Sequence, residues 1–503
     1  MLQAVLSLIK SLYGTSRDIG MSLKKSAVRG SLWTSVTQVG INLLDFFVFA
    51  YLARVLTLEE FGLASFCYLF IELSNSFVEA GVNQNIAQRS KWENRYAAST
   101  TMFVFLIALG VCLLLIFIIA PVAYYLYSAL AAWILISLTP ITLLASLQIV
   151  LSGKLLREFK IKEMGAAKFF AALISVAVIV LLAENNFGLW SLIIGKIVNA
   201  ICRFLFFIFA TGYWPRFNYN KRDNNELVRF CLPMLGITLL NFVHQKASVI
   251  LTGFVLGPAT FALLTAARKG EIMINQITMS SINAMVVPSF ARVEDKSKLG
   301  DIYIKMVATT AFIVFPIFMG LAAVAEPFVH IAFGDKFSKS AEYITILAFA
   351  TFQSVVAWFF PSLLVSVAKT KSAFNQTIIT IVSTLLVASC TVWFGVKPML
   401  IGLVIIGYLI LPFRLMLVSK YVKIDSKKLI SKLTPPFVAA IAMFLFVFYL
   451  QTYLESVVEN ELLIISMLVL SGCFIYLLIL LIGFRREFSN QIQEVKDIFK
   501  TKS

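Results

Sequence analysis

Between residues 31 and 483 the chain is a succession of fourteen long apolar runs separated by short polar breaks. Their approximate spans are 31–53, 61–83, 98–120, 129–152, 164–183, 188–211, 228–253, 259–287, 303–325, 341–367, 374–394, 399–418, 434–452 and 462–483. Each is long enough to cross about 30 Å of hydrocarbon as a helix. Inside a bilayer the backbone must satisfy its own N–H and C=O groups, so a helix is the default for every run. The fold class that follows is all-α and integral to the membrane. Composition excludes a soluble protein, since 60% of the 503 residues are hydrophobic and only 14% are charged.

A net charge of +17 would suit a nucleic-acid partner, but its distribution points elsewhere. With the N-terminus in the cytoplasm, the only Lys and Arg in outer loops are Arg54, Lys336, Lys339 and Lys397. Nearly all the others fall in inner loops and tails, as the positive-inside rule requires. The charge is therefore an orientation signal, with some attraction to anionic lipid, and no nucleic-acid partner is expected. Both termini are placed in the cytoplasm. The six cysteines sit in or beside apolar runs without CxxC spacing and read as small core residues.

An internal repeat organises the spans. Val55, Leu56, Phe61 and Leu63 recur two hundred residues later as Val255, Leu256, Phe261 and Leu263. Both stretches join one polar-striped run to another. The expected domains are an N-terminal cytoplasmic or interfacial extension over 1–23, an N-lobe of six spans over 24–215, and a cytoplasmic linker over 216–226. A C-lobe of six spans over 227–420 follows, then a helix pair over 421–484 and a cytoplasmic amphipathic tail over 485–503. Six is an even number of crossings, so the lobes are parallel repeats.

Four runs carry polar stripes at a spacing of three or four, which places each stripe on one helix face. The first run holds Gln38, Asn42 and Asp45. The second holds Glu72, Asn75 and Glu79. The seventh holds Asn241 and Gln245 beside Lys246, and the eighth holds Arg268, Glu271 and Asn275 beside Lys269. In lipid such faces turn inward, toward each other or toward water. Gln38, Asn42, Asn75, Asn241, Gln245 and Asn275 are accordingly expected to line one polar cavity.

Arg54-Val-Leu with Glu60-Phe-Gly62, Glu79-Ala-Gly-Val-Asn-Gln84 and Gln88-Arg89 resembles the first helix pair of Wzx-type polysaccharide flippases. Gly153-Lys-Leu-Leu-Arg-Glu-Phe-Lys160, Phe187-Gly-Leu-Trp-Ser-Leu192, Val287-Pro-Ser-Phe-Ala-Arg292 and Phe333-Gly-Asp-Lys-Phe337 fit the same pattern. The resemblance runs from Ser22 to Lys420. It is to the colanic-acid-exporter-like branch of the polysaccharide transport family, within the superfamily that also holds MATE drug exporters and lipid II flippases. It implies a two-lobed bundle in a bacterial inner membrane, acting by alternating access. Its expected cargo is undecaprenyl-pyrophosphate-linked oligosaccharide, moved from the inner to the outer leaflet for surface polysaccharide biosynthesis. Polysaccharide polymerase and glycosyltransferases are the protein partners it suggests. The alternatives are a MATE-like exporter of small cations, and a membrane scaffold or glycosyltransferase that transports nothing.

No catalytic set is legible. The two histidines, His244 and His330, are far apart, and no Walker-type Gly-rich loop is present. No cofactor, resident metal or enzymatic activity is expected. A phosphate in low dielectric needs cationic partners. Lys246, Arg268 and Lys269 are central candidates, and Arg29 and Arg54 stand at the two ends of the first run. The competing structural reading pairs Arg268 with Glu271 on one face. Asp45, Glu72 and Glu79 are candidates for coupling to H⁺ or Na⁺, against the alternative that they pair with Lys196 or Arg203.

Overall fold

A computed structural model describes residues 20–89, 91–291, 298–458 and 460–489. Among them every regular element is a helix. Cα packing divides the chain into two units, one over Lys24–Thr265 and the other from Ala266 onward.

The first unit opens with α1 (Gly20–Val55) and α2 (Leu58–Glu79), followed by the short α3 (Val82–Gln88). Next come α4 (Asn94–Leu114), a π-helical turn (Leu115–Ile119) and α5 (Ala120–Leu126). The unit continues with α6 (Ala129–Arg157), α7 (Ile161–Glu184), α8 (Leu189–Thr211) and α9 (Lys221–Leu256). The boundary between units falls inside α10 (Pro258–Ala291).

The two copies of the repeated stretch turn the chain by different chemistry. At the first, Thr57 caps α2: its hydroxyl accepts from the Glu60 N–H at 3.2 Å, and the Glu60 carboxylate accepts from the Thr57 N–H at 3.1 Å. This reciprocal pair is a capping box. At the second, Gly257 takes φ +84° and α10 starts on Pro258, whose missing N–H costs nothing at a helix's first position. The copies also touch. Gly62 lies so close that a Cβ there would stand 1.9 Å from the Pro258 carbonyl oxygen. Phe66 packs its ring against Phe254 and Phe261 at 5.2 and 5.3 Å.

Helix α9 belongs to this unit because its foot is tied down. Asn220 caps it by accepting from the N–H groups of Arg222 and Asp223, so residues 221–226 of the polar linker are helical. Ser99 on α4 donates to the Asn224 side chain at 2.9 Å, and Arg89 donates to Glu226 at 2.6 Å while its guanidinium lies over Tyr96.

The second unit contains the rest of α10, then α11 (Leu299–Ala323), α12 (Ala325–Phe333), α13 (Lys339–Trp358) and α14 (Phe360–Ser366). It ends with α15 (Thr370–Thr391), α16 (Val396–Ser419), α17 (Ser426–Glu455) and α18 (Glu461–Gly483). Its core gathers Tyr303, Phe315, Phe318, Phe352 and Phe360, with the buried Tyr303 hydroxyl donating to the Val356 carbonyl at 2.9 Å. Past α18, Phe488 rests against Phe312, while 490–503, the rest of the expected amphipathic tail, lies outside the described residues. So does most of the expected N-terminal extension.

Thirteen helical segments among the described residues are long and apolar enough to cross a membrane. They coincide with every run read from the sequence except 259–287. That run forms the continuous helix α10, which carries Arg268, Lys269 and Glu271 within a single turn.

Outside the spans, His330 on α12 lies between two carboxylates, Glu461 through Nδ1 at 2.6 Å and Asp335 through Nε2. The hydrogen bond to Glu461, with both negative charges, raises its pKa above the usual imidazole value. A raised pKa contributes stability that is full below the unfolded-state value of about 6.5 and is lost as pH rises through the folded value. The ring is nearly half exposed, so the effect is at most about 1 kcal/mol. The difference in melting temperature between the native protein and His330→Gln should therefore be positive at pH 6 and shrink by pH 8. A difference independent of pH would contradict this.

Candidate functional site

In the first unit, α1, α2, α7 and α8 line an open cavity of about 600 Å³. Its wall is polar in a bundle that is otherwise apolar. Gln38 and Asp45 come from α1, and Glu72, Asn75 and Glu79 from α2. Lys168 and Ser175 come from α7, Lys196, Asn199 and Arg203 from α8, and Thr238 from α9. The stripe spacing of three and four residues turns whole helix faces inward. The same spacing on α8 aligns Lys196, Asn199 and Arg203.

Two ion pairs form at this cavity. Lys246 on α9 donates to Glu72 on α2 at 2.8 Å, with about a third of each side chain exposed. Lys196 Nζ stands 3.7 Å from Asp45 and 5.1 Å from the centre of the Tyr68 ring. Arg203 donates through Nε to Gln148 at 2.5 Å, and Gln148 in turn donates to the Ala200 carbonyl at 2.8 Å. Glu79 lies in the field of Arg203 and Lys168. Charges inside a bundle are costly unless paired and hydrogen-bonded, and this arrangement keeps each within reach of an opposite charge. It leaves two kinds of polar group on the wall: cations able to hold an oxyanion, and amides and hydroxyls able to bond sugar hydroxyls. Among the described residues no set of three or more His, Cys, Asp or Glu is arranged to hold a metal ion.

The structure brings together Gln38, Asp45, Glu72, Asn75 and Glu79 on one wall and adds Lys246 through Glu72. Asn42 is bonded by Gln38 on its own helix at 3.1 Å. Asn241 and Gln245 are exposed side chains on α9. Arg54 is exposed in the last turn of α1, and the side chain of Arg29 lies outside the described residues. Arg268, Lys269 and Asn275, all half-buried, sit on the part of α10 that belongs to the second unit. Lys168, Tyr68 and Gln148 were not singled out in the sequence. Lys168 had a signal, a cation two turns inside an apolar helix; Tyr68 and Gln148 had none that sets them apart from packing residues.

The fold and the cavity define a multi-pass helical membrane protein with an ion-paired polar chamber in its interior. The model of the polysaccharide biosynthesis protein family matches residues 51–342, more than half of the chain, and the chain belongs to that family. The succinoglycan biosynthesis transport protein ExoT of Rhizobium meliloti (strain 1021) is 25% identical over 328 residues, 64% of this chain and 66% of that one. The lipopolysaccharide biosynthesis protein WzxC of Escherichia coli (strain K12) is 24% identical over 339 residues, 65% of this chain and 67% of that one. The chain thus spans about two thirds of the length of these relatives. Among solved structures, the lipid II flippase MurJ in its inward closed conformation superposes with a TM-score of 0.73 at 15% identity, covering 90% of this chain and 99% of that one. The likeness establishes the fold.

Proposed function

We propose that this protein is a flippase of a bacterial inner membrane that moves a lipid-linked, undecaprenyl-pyrophosphate-type oligosaccharide to the outer leaflet for surface polysaccharide synthesis. The observation that carries the reading is the ion-paired cavity of about 600 Å³ among membrane helices. Building cations and carboxylates into an apolar bundle is expensive, and a passage for a charged, sugar-bearing headgroup justifies that expense. Family membership, a relative named as a transport protein and the MurJ fold support the same reading.

In this proposal the chain crosses the membrane fourteen times with both termini cytoplasmic, α10 supplying the crossing too polar to stand out by hydropathy. Two six-span lobes alternate the access of the cavity while the polyprenyl tail stays in the bilayer. Lys246 binds the anionic headgroup inside the cavity. Arg268 and Lys269 offer cations on α10, and Arg29 and Arg54 receive and release the headgroup at the membrane surfaces. Asp45 and Glu79 are the coupling groups for H⁺ or Na⁺. Polysaccharide polymerase and glycosyltransferases act before and after transport.

Deleting the gene tests the proposal. Lipid-linked oligosaccharide should accumulate in the inner leaflet while surface polysaccharide disappears, and the intact gene should reverse both. If the sugar-lipid intermediate were never made, the protein would act in synthesis and the flippase reading would fall.

A further inference from the structure

We infer that Glu72 is a specificity-determining counter-ion: it holds on Lys246 the place a phosphate would take, so that only a polyanionic headgroup displaces it. This rests on the flippase reading above and deepens it.

Three observations carry the inference. The Glu72–Lys246 contact joins helices 174 residues apart in sequence and is a short, charge-assisted hydrogen bond of 2.8 Å. It is not sealed in packing: about a third of each side chain is exposed, and Glu72 lies on the cavity wall. Glu72 also has somewhere to go. Lys196 lies within electrostatic range of both Glu72 and Asp45. It forms an ion pair with Asp45 at 3.7 Å, and an ammonium carries three donors. A carboxylate displaced from Lys246 stays in the field of Lys196 and so is not stranded in low dielectric.

Such an exchange has a selective consequence. The bilayer is full of phosphodiester lipids carrying one negative charge. An open lysine in a lipid-accessible cavity would be occupied by them. Glu72 offers the same single charge at high effective concentration, because it is already tethered in place. A monoanionic headgroup gains nothing by replacing it. A pyrophosphate carries more charge and more acceptor oxygens, so it gains on exchange. Specificity of this kind comes from a built-in competitor rather than from added contacts.

The test uses the purified full-length protein in nanodiscs, with binding of undecaprenyl pyrophosphate, phosphatidylglycerol and inorganic pyrophosphate measured by native mass spectrometry. The native protein should bind undecaprenyl pyrophosphate and resist competition by phosphatidylglycerol. Glu72→Gln should bind both lipids more tightly, with the selectivity ratio falling about 10-fold, and adding Lys246→Gln should abolish that gain. Should Glu72→Gln fail to fold, Glu72→Asp, which keeps the charge but draws it back from Lys246, should lower the ratio by about 3-fold. A Glu72→Gln or Glu72→Asp protein with unchanged selectivity, or with weaker binding of undecaprenyl pyrophosphate, would overturn the inference. Inorganic pyrophosphate bound as tightly as the lipid would overturn the assignment to a membrane headgroup. If the native protein bound no undecaprenyl pyrophosphate at all, the flippase reading itself would fall; loss of the selectivity effect alone leaves that reading standing.

Discussion

Lys246→Glu is expected to abolish surface polysaccharide in a strain that depends on this protein. The substitution replaces an ion pair at 2.8 Å with two carboxylates facing each other. At an effective dielectric of about 20, unit charges about 4 Å apart interact by about 4 kcal/mol, so reversing one sign turns that attraction into comparable repulsion. Both groups are partly exposed to the cavity, and water there reduces the figure. The larger loss is functional, because the α9 cation that pairs with Glu72 of this wall becomes an anion that repels a phosphate. Transport per molecule of membrane-inserted protein should fall by at least about 100-fold, the equivalent of roughly 3 kcal/mol. Lys246→Arg, which keeps the charge, should retain most of it. Quantified surface polysaccharide, normalised to protein recovered from the membrane, checks both outcomes.

The second large effect is expected at Arg203. Its Nε donates to Gln148, only 3% exposed, and the Gln148 amide nitrogen is already engaged by the Ala200 carbonyl. Arg203→Leu leaves the buried Gln148 oxygen without its donor, which costs about 1–3 kcal/mol, and removes a cation from the field of Glu79. Melting temperature and transport should both drop. Adding Gln148→Leu removes the stranded oxygen and should recover part of the melting temperature, because paired removal is cheaper than leaving one partner behind. Transport should stay low in the double variant, since the cation is still missing. Recovery of transport along with stability would mean that Arg203 only staples α8 to α6.

Apolar runs of membrane length were legible because hydrocarbon permits little but helices. The structure places a helix on each run that the sequence marks. The ends were less legible. Helix α9 begins at Lys221 inside what reads as a polar linker, because Asn220 caps it and Ser99 and Arg89 anchor its first turns from elsewhere in the chain. Polar stripes on α1 and α2 were readable as faces, and five of their residues share one cavity wall. Asp45 meets Lys196, one of the two partners the sequence offered it, but the partner of Glu72 was not readable. Glu72 reaches Lys246 rather than a cation on α8, and that choice depends on how α9 packs beside α2, which no local spacing encodes. Lys168 stood in plain sight as a charge in an apolar helix, whereas Gln148 matters only through the Arg203 that folding brings to it. The capping box at Thr57 and Glu60 was carried by the repeated stretch itself, and its second copy reached a helix start through Gly257 and Pro258 instead.

The most direct measurement reconstitutes the purified protein in liposomes carrying a labelled undecaprenyl-pyrophosphate oligosaccharide on one leaflet and follows its exposure on the other. The native protein should move the label across, and Lys246→Glu, recovered at the same amount in the same bilayer, should not. A native protein that leaves the label where it was, or a Lys246→Glu protein that moves it equally fast, would contradict the claim that this cavity carries an anionic lipid headgroup through the membrane.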